Sequence, residues 1–290
     1  MAYVSMKKML NDAREGSYAI GAFNIVNYLT AKAVVSAAED LNVPVILQTS
    51  VKTVKQFGIE EFISFLRPIC EMAKVDVAIH LDHCTDIEYA KKCIDAGWSS
   101  IMFDGSKTPL KKNIEDTLIV KDYIAGRDIT LEGEVGSIVG VEDDIVVHAN
   151  DAAYANKEDC EKYLKETGVD FLAPAVGTAH GVYKGEIRLN YDLFKEIDSI
   201  SPVPLVLHGG TGLSDEMFNT LIDLRASKVN ISTAIKIAYC DSMYEYSSTH
   251  RDEHNPLTLD DYVYKKIYDL AYKHINFFTL RKGSVNNEWL

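Results

Sequence analysis

Eight short apolar segments, each followed by a longer stretch with helical periodicity, set the strongest constraint on the fold of this chain. The segments span residues 18–24, 43–49, 75–82, 99–104, 129–135, 170–175, 203–208 and 228–232. Nearly continuous runs of Val, Ile, Leu and Ala are typical of parallel strands that are covered on both faces. The stretches between them, such as 30–41 and 87–96, repeat apolar residues at helical spacing, and Gly97 and Gly168 are placed like helix C-caps.

Eight strands alternating with helices predict an α/β protein, a (β/α)₈ TIM barrel. An open, doubly wound sheet with a second domain is the alternative. No linker rich in Pro, Gly or Ser marks a boundary, so we predict one domain over residues 1–290, in which about 234–290 form a helical C-terminal extension. The segment 136–155, long and rich in Gly and Asp, is predicted to be a loop after the fifth strand.

Composition limits the classes of function. Lys and Arg total 30 against 43 Asp and Glu, a net charge of −13, which disfavours a nucleic-acid-binding protein. The apolar fraction of 47% excludes an intrinsically disordered chain. No stretch approaches the roughly 18 apolar residues of a membrane span, and no secretory signal is visible. Five cysteines without a CxxC motif indicate free thiols. We therefore predict a cytoplasmic protein.

Polar residues stand at the end of almost every predicted strand. They are Asn24, Gln48, Ser50, Asp82, His83, Asp104, Glu132, Glu134, His180, His208, Asn230 and Thr233. The carboxyl ends of the strands of a (β/α)₈ barrel meet at one mouth, where the active site lies. The sequence therefore predicts a polar active site at this mouth.

Three histidines predict a metal centre. His83, His180 and His208 follow three different strands, and three neutral imidazoles with an open fourth position are typical of catalytic zinc. His80 either orients a ligand or packs in the core. The histidines of the C-terminal helices (His250, His254 and His274) and His148 in the long loop are predicted to be exposed.

Two glycine-rich segments accompany these histidines. They are Gly-Thr-Ala-His-Gly at 177–181 and His-Gly-Gly-Thr-Gly at 208–212, and strand eight adds Lys-Val-Asn-Ile-Ser-Thr at 228–233. Glycines let the backbone approach an anion, and the amides of a helix start favour negative charge. The loops after strands seven and eight often bind phosphate in such barrels. The segments therefore indicate a phosphate site.

Five motifs in order give the sequence a family resemblance. They are His80-Leu-Asp82-His83, Glu132-Gly-Glu134-Val-Gly136, Gly-Thr-Ala-His180-Gly181, His208-Gly-Gly-Thr211-Gly212 and Asn230-Ile-Ser-Thr233. The series resembles the class II, zinc-dependent ketose-bisphosphate aldolases, which include fructose- and tagatose-bisphosphate aldolases. The resemblance extends over residues 1–233.

The resemblance implies roles for individual residues. His83, His180 and His208 would bind the catalytic Zn²⁺, while Asp104 and Glu134 would lie beside it or supply an alternative metal position. Asp82 would exchange a proton with the C4 hydroxyl of the substrate, and Glu142 would transfer a proton at the dihydroxyacetone-phosphate carbon. Substrate and phosphate would be bound by Asn24, Ser50, Gly181, Lys184, Gly209, Thr211, Asn230 and Thr233. A monovalent cation (Na⁺ or K⁺) near the phosphate, and a homodimer or homotetramer, are also implied.

The resemblance implies a lyase that acts in carbohydrate metabolism, in glycolysis. It would reversibly cleave a phosphorylated ketose (fructose or tagatose 1,6-bisphosphate, or a ketose 1-phosphate) to dihydroxyacetone phosphate and an aldehyde. Zn²⁺ would stabilise the developing charge as a Lewis acid. The rival aldolase chemistry forms a Schiff base on a lysine inside the barrel. We expect none there, because Lys228 opens the eighth predicted strand and Lys184 lies in a loop.

The sequence also departs from the family pattern. Lys107 stands where many relatives have a histidine. Relatives also carry an arginine that reaches a neighbouring subunit's active site and pairs with the distal phosphate, but the corresponding segment here, 255–262, has no arginine after Pro256. Arg251 and Arg281 are candidate substitutes. The departure raises the hypothesis that the distal end of the substrate carries no phosphate. Two alternative functions are a metal-dependent TIM-barrel hydrolase and a non-catalytic accessory subunit of an aldolase.

Overall fold

The computed structural model describes residues 2–142, 145–147, 153–183 and 187–285. Its strands are β1 (Ile20–Asn24), β2 (Val45–Ser50), β3 (Val77–Cys84), β4 (Ser100–Phe103), β5 (Thr130–Val135), β6 (Val139–Glu142), β7 (Ile145–Val147), β8 (Phe171–Pro174), β9 (Ala179–His180), β10 (Leu205–Leu207) and β11 (Ala226–Ile231). Its helices are α1 (Lys7–Gly16), α2 (Tyr28–Leu41), α3 (Val51–Phe57), α4 (Ile59–Glu71), α5 (Ile87–Ala96), α6 (Leu110–Tyr123), α7 (Lys157–Thr167), α8 (Tyr191–Ile200), α9 (Asp215–Asp223), α10 (Thr233–Thr249) and α11 (Pro256–Leu280).

Eight parallel strands close a barrel in the order β1-β11-β10-β8-β5-β4-β3-β2. Each of the eight predicted segments overlaps one barrel strand, so the predicted (β/α)₈ fold is confirmed. No strand start differs from its prediction by more than two residues, and β11 alone begins early, at Ala226 instead of residue 228. None of the described helices is long and apolar enough to cross a membrane.

Alternate residues of each barrel strand point inward, and their chemistry changes along the barrel axis. In β3, Ala78 packs in the inner apolar cluster, while His80 and Asp82 make polar contacts inside the barrel. The residues between them, such as Ile79 and Leu81, pack outward against the helices. Inward residues are therefore apolar near the amino end of the barrel and polar towards its carboxyl end, where the predicted site lies.

Helix α1 closes the amino end of the barrel. Met6, Met9 and Leu10 are buried there against inward residues of the strands, among them Ile46 of β2 and Phe171 of β8. An amphipathic helix of this kind buries its apolar stripe against whatever apolar surface is open. We call these three side chains, from the N-cap residue Met6 and the first turn of α1, the basal plug. The interior is thus filled at one end and polar at the other.

A small second sheet lies outside the barrel. Strands β6 and β7 form an antiparallel hairpin, and β6 also pairs in parallel with β9, so the order is β7-β6-β9. The register places Gly140 opposite His180. Gly140 has a φ of 116°, and an added Cβ would overlap the carbonyl of His180, so the close pairing requires glycine. Part of the segment predicted as a loop is therefore a hairpin that contacts a predicted metal ligand.

Helix α11 returns along the barrel and packs on α2 and β1. The amide of Ala19, next to β1, donates to the carbonyl of Phe278 at 3.0 Å. The prediction that His274 is exposed was wrong, because its side chain lies on the buried face of α11 with only 2% of its surface exposed. Its Nδ1–H donates to the carbonyl of Leu270 at 2.8 Å, and its ring packs edge-on against Phe23 and Phe278.

Candidate active site

The structure brings the three predicted metal ligands together at the carboxyl end of the barrel. His83 closes β3 together with Cys84, His180 ends β9, and His208 follows β10. One ring nitrogen from each lies within 4.8 Å of the others, and the ring centroids are 4.7 to 5.9 Å apart. All three side chains are buried. Such a set of imidazoles is a donor set that suits a divalent transition metal.

The backbone of His83 is in an unusual conformation. Its φ is 48°, in the left-handed region that residues other than glycine rarely occupy, and the pairing of β3 with β4 shifts register between Leu81 and Cys84. Conformations of this kind cost energy and cluster at functional sites. The irregularity turns the ring so that Nδ1 lies 2.9 Å from Oδ2 of Asp104 and Nε2 lies 2.9 Å from Nδ1 of His208.

Carboxylates hold the outer nitrogens of two rings. Nδ1–H of His83 donates to Asp104, and Nε2–H of His208 donates to Oε1 of Glu132 at 2.9 Å. Since a carboxylate only accepts hydrogen bonds, these contacts leave the facing nitrogens, Nε2 of His83 and Nδ1 of His208, with their lone pairs towards each other. Two lone pairs at this distance require a shared cation, either a proton or a metal ion. Carboxylate–histidine–metal arrangements have this pattern.

Glu134 provides a second indication of a cation. Its Oε2 is buried without a hydrogen-bond partner among the described residues, and it lies 3.8 Å from Nδ1 of His83 and 4.0 Å from Nδ1 of His208. Burial, reinforced by the charge of Asp104, raises the pKa of Glu134 well above its usual range. Glu134, Asp104 and His83 form a second group whose ligand atoms lie within 4.8 Å of one another. A positive ion at this point would satisfy the carboxylate, so the residues fit a metal.

The histidines differ in their electrostatic surroundings. Burial, together with the neighbouring His83, lowers the pKa of His208 well below 6.5. Burial also opposes a charge on His83, but the carboxylates of Asp82 and Asp104 outweigh it and raise the pKa of His83 well above 6.5. Several carboxylates therefore surround the ring of His83 and stabilise positive charge there.

Asp82 lies on β3 beside the histidines, held by side-chain amides. Nδ2 of Asn24 donates to Oδ2 at 2.9 Å, Nε2 of Gln48 at 3.4 Å, and Nδ2 of Asn230 lies 3.5 Å from Oδ1. Burial penalises the charge of Asp82, but His83, His208, Lys228 and the hydrogen bond from Asn24 together lower its pKa. A fixed, charged carboxylate next to the histidines is suited to accept a proton.

The glycine-rich loops pack against each other. Gly209 has a φ of 67°, and an added Cβ would lie 2.5 Å from the carbonyl oxygen of Ala179. The hydroxyl of Tyr183 joins the two loops, because it accepts from the amide of Ala179 at 3.0 Å and donates to the carbonyl of Gly209 at 2.8 Å. The sequence did not single out Tyr183. Gly181 is the other predicted ligand in these loops, with a φ of 90°.

The remaining predicted phosphate ligands lie around the start of α10. Thr233 is the first residue of α10, and Oγ1 of Thr211 accepts from the amide of Ala234 at 3.2 Å. The carbonyl of Asn230 accepts from the amide of Gly210 at 3.2 Å. The strand ends and loops therefore converge on a helix N-terminus, which carries partial positive charge.

For three predicted site residues, the structure shows either an additional structural role or no description of the side chain. Ser50 is buried in register with Asp82, and its Oγ accepts from the amide of Thr53 as the N-cap of α3, a structural role that the sequence analysis did not assign. Lys184 lies outside the described residues. Glu142 ends β6, and its side chain lies outside the described part of the chain.

The structure corrects the prediction for Lys228 and gives the position of Arg281. Lys228 was expected at the opening of its strand, away from the barrel interior, but it is the third residue of β11 and is fully buried inside the barrel. Its Nζ lies 2.9 Å from Oε2 of Glu132. Arg281 donates to Asp223 at 2.6 Å, close to where α11 meets Ala19 at the amino end of β1. Arg281 therefore lies away from the barrel mouth of its own chain, and its role as a substitute for the missing arginine stays a prediction.

Comparisons with known proteins agree with this site. The sequence model of the family described as fructose-bisphosphate aldolase class-II matches residues 4–282. A fructose-bisphosphate aldolase of Geobacillus stearothermophilus is 39% identical over 259 residues, which cover 88% of this chain and 90% of the relative. A sulfofructosephosphate aldolase of Alkalicoccus urumqiensis is 36% identical over 255 residues, covering 88% and 89%.

A third relative and a crystal structure extend this similarity. A 6-phospho-5-dehydro-2-deoxy-D-gluconate aldolase of Shouchella clausii is 40% identical over 245 residues, covering 83% of each chain. The crystal structure of the YdjI aldolase from Escherichia coli K12 superposes with a TM-score of 0.84 at 30% identity, covering 96% of this chain and 97% of that one. Matches that span nearly the whole chain, on a barrel whose mouth gathers three histidines, show that the protein belongs to the class II fructose-bisphosphate aldolase family and is a carbon–carbon lyase.

Proposed function

We propose that this aldolase uses Zn²⁺ to cleave a ketose 1-phosphate reversibly into dihydroxyacetone phosphate and an aldehyde. The observation that carries the proposal is the cluster of His83, His180 and His208 beside the amide-held carboxylate of Asp82. Membership of the aldolase family favours this chemistry over the hydrolase and accessory-subunit alternatives.

His83, His180 and His208 would hold the metal, with Asp104 and Glu132 orienting two of the rings. Glu134 either stays beside the ion or takes part in an alternative position with Asp104 and His83. When bound, the divalent ion supplies Lewis-acid stabilisation of negative charge on substrate oxygens. Zinc is proposed because three buried imidazoles with room for a further ligand suit it.

Asp82 would accept the proton of the substrate C4 hydroxyl during cleavage and return it in the condensation direction. Three amides donate to its carboxylate or lie within 3.5 Å of it, so it is held in one orientation and kept ionised. Glu142 would handle the second proton, at the carbon of the dihydroxyacetone-phosphate half. Its backbone belongs to the hairpin that pairs with the strand of His180, which supports a place near the metal.

The phosphate on C1 would lie between the glycine-rich loops and the start of α10. Gly181, Gly209 and Thr211 border this region with Thr233, and the helix N-terminus favours an anion. Asn24, Ser50, Asn230 and Lys184 complete the proposed substrate contacts. A monovalent cation near the phosphate, a homodimer or homotetramer, a single-domain organisation and a cytoplasmic location belong to the same proposal.

The distal end of the substrate is the part that the relatives' names leave open. Those names include a fructose bisphosphate, a sulfofructose phosphate and a phosphorylated deoxygluconate. In this chain the segment 255–262 contains no arginine, and Arg281, farther along the chain, is bonded to Asp223. Arg251 lies exposed between α10 and α11. The proposal is therefore a substrate without a distal phosphate.

A retro-aldol assay tests the proposal. Purified enzyme is given fructose 1-phosphate, fructose 1,6-bisphosphate and tagatose 1,6-bisphosphate, and dihydroxyacetone phosphate is measured before and after chelation. We expect activity to disappear with chelator, to return with Zn²⁺, and to be at least as high for the 1-phosphate as for either bisphosphate. Full activity of the metal-free enzyme would refute the metal role, and a strong preference for a bisphosphate would refute the substrate assignment.

A further inference from the structure

Lys228 and Glu132 form a fully buried ion pair inside the barrel. Neither residue has measurable surface exposure, and Nζ of Lys228 lies 2.9 Å from Oε2 of Glu132. A charge without a partner is very costly in such surroundings, so each residue depends on the other. The pair connects β11 to β5 across the barrel interior.

The second oxygen of Glu132 connects this pair to the histidine cluster. Oε1 accepts a hydrogen bond from Nε2–H of His208 at 2.9 Å, which leaves Nδ1 of His208 facing His83. The other imidazole near Glu132 belongs to His80, whose Nε2 is 3.6 Å from Oε2, beyond hydrogen-bond distance. Each oxygen of Glu132 thus has one close partner, Lys228 on one side and His208 on the other.

We propose that Lys228 is a positioning residue of the metal site, which holds Glu132 so that Glu132 fixes the ring orientation and tautomer of His208. Without the ammonium group, Oε2 of Glu132 loses its ionic partner and the carboxylate is free to rotate away from His208. The ring of His208 would then sample orientations and a tautomer in which Nδ1 is protonated. The inference rests on the proposed role of His208 as a metal ligand.

A buried lysine in an aldolase also invites comparison with Schiff-base enzymes. A Schiff-base lysine must reach the carbonyl carbon of the substrate with a free amine. Nζ of Lys228 instead lies against Glu132, and the side chain has no exposed surface. The positioning role uses the charge of Lys228, whereas a Schiff base would use its nucleophilicity, so the two roles can be separated by trapping.

The test measures Co²⁺ binding to the full, metal-depleted chain by competition with a chelator, and records the visible absorption of the bound ion. The variants are Lys228→Met, Glu132→Gln and the combination of both. The control is Lys121→Met, which removes another lysine–carboxylate pair, the 3.0 Å contact with Asp170, away from the histidines. Removing a group that orients a metal ligand typically weakens metal affinity 10- to 100-fold.

We expect Lys228→Met to bind Co²⁺ 10- to 100-fold more weakly than wild type and to change the absorption of the bound ion. Because Lys228 acts through Glu132, the combined variant should bind no more weakly than Glu132→Gln alone. Lys121→Met should bind like wild type. Circular dichroism shows whether Lys228→Met folds. If it does not, the Co²⁺ affinities of Glu132→Gln and the combined variant are compared instead, because the combined variant carries no unpaired buried charge. The combined variant should again bind no more weakly than Glu132→Gln.

Three results would overturn the inference. Affinity of Lys228→Met equal to that of wild type would remove the positioning role, and a combined variant much weaker than Glu132→Gln would mean that Lys228 does not act through Glu132. Borohydride trapping with dihydroxyacetone phosphate should give no adduct, and an adduct on Lys228 would assign it to covalent catalysis. A wild-type chain that binds no Co²⁺ would overturn the metal role itself, which distinguishes the failure of the proposed function from the failure of this inference alone.

Discussion

Burial of His274 predicts that acid destabilises this protein through a residue far from the active site. The ring is enclosed between Phe23 and Phe278, and burial lowers the pKa of His274 from 6.5 to about 4, although its hydrogen bond with the carbonyl of Leu270 acts in the opposite direction. In the unfolded chain the ring regains its ordinary pKa. Above pH 6.5 both states are neutral at this position, so the histidine contributes its full stability there.

Between pH 6.5 and pH 4 the unfolded chain binds a proton at His274 while the folded chain does not, so stability falls as pH falls. A difference of about 2.5 pKa units corresponds to about 3 kcal/mol in the free energy of unfolding, of which about 2 kcal/mol is lost by pH 5. His274→Asn keeps a donor for the Leu270 carbonyl and removes the titration. The free energy of unfolding of wild type relative to this variant should therefore decrease by about 2 kcal/mol between pH 7.5 and pH 5.

Equilibrium urea unfolding of both metal-depleted proteins across this pH range gives the measurement. Because the other titrating groups are shared, their contributions cancel in the difference. His254→Asn, a change at an exposed position before α11, controls for loss of a histidine elsewhere. If the difference between wild type and His274→Asn stayed constant from pH 7.5 to pH 5, the reasoning from burial would be refuted.

Three further predictions concern the active site. Asp82→Asn should retain stoichiometric zinc but lower kcat by about 10²- to 10⁴-fold, because the amide accepts no proton; a variant with wild-type kcat would remove Asp82 from the mechanism. Gly140→Ala should weaken metal binding at least about tenfold by displacing β9 and His180. A residue with a Cβ is strained at this φ and overlaps the His180 carbonyl. Unchanged metal affinity in a chelator competition would contradict this prediction. Tyr183→Phe should lose about 1–2 kcal/mol of stability in thermal unfolding, because two hydrogen bonds between the loops disappear; an unchanged Tm would show that water replaces the hydroxyl.

The barrel was predictable from the sequence because buried parallel strands leave a continuous apolar signal. The metal cluster was predictable because strand ends of one barrel share a mouth, so residues far apart in sequence, such as His83 and His208, had to meet. That argument needs the fold alone. The partners of the Glu132 carboxylate were harder to predict. Its contact with Lys228 joins residues 96 positions apart and depends on which way each side chain turns.

Two errors had detectable signals in the sequence. Lys228 stands two residues before Asn230, and period-two alternation places both side chains on the same face of β11, inside the barrel. His274 continues the helical spacing of Ile267, Leu270 and Ala271, which indicates the buried face of α11. The roles of Glu142 and Lys184, the identity of the metal and the oligomeric state stay predictions.

The basal plug closes the amino end of the barrel and leaves only the carboxyl end open. Since Met6, Met9 and Leu10 fill the amino end, a metal ion, a sugar phosphate and a chelating reagent all approach the histidines from the carboxyl side. The metal ion and the sugar phosphate therefore enter and leave through the same opening. A bound sugar phosphate lies between the ion and the solvent. Saturating dihydroxyacetone phosphate should accordingly slow the loss of metal to a chelator, and the extent of slowing reports how completely the substrate covers this opening.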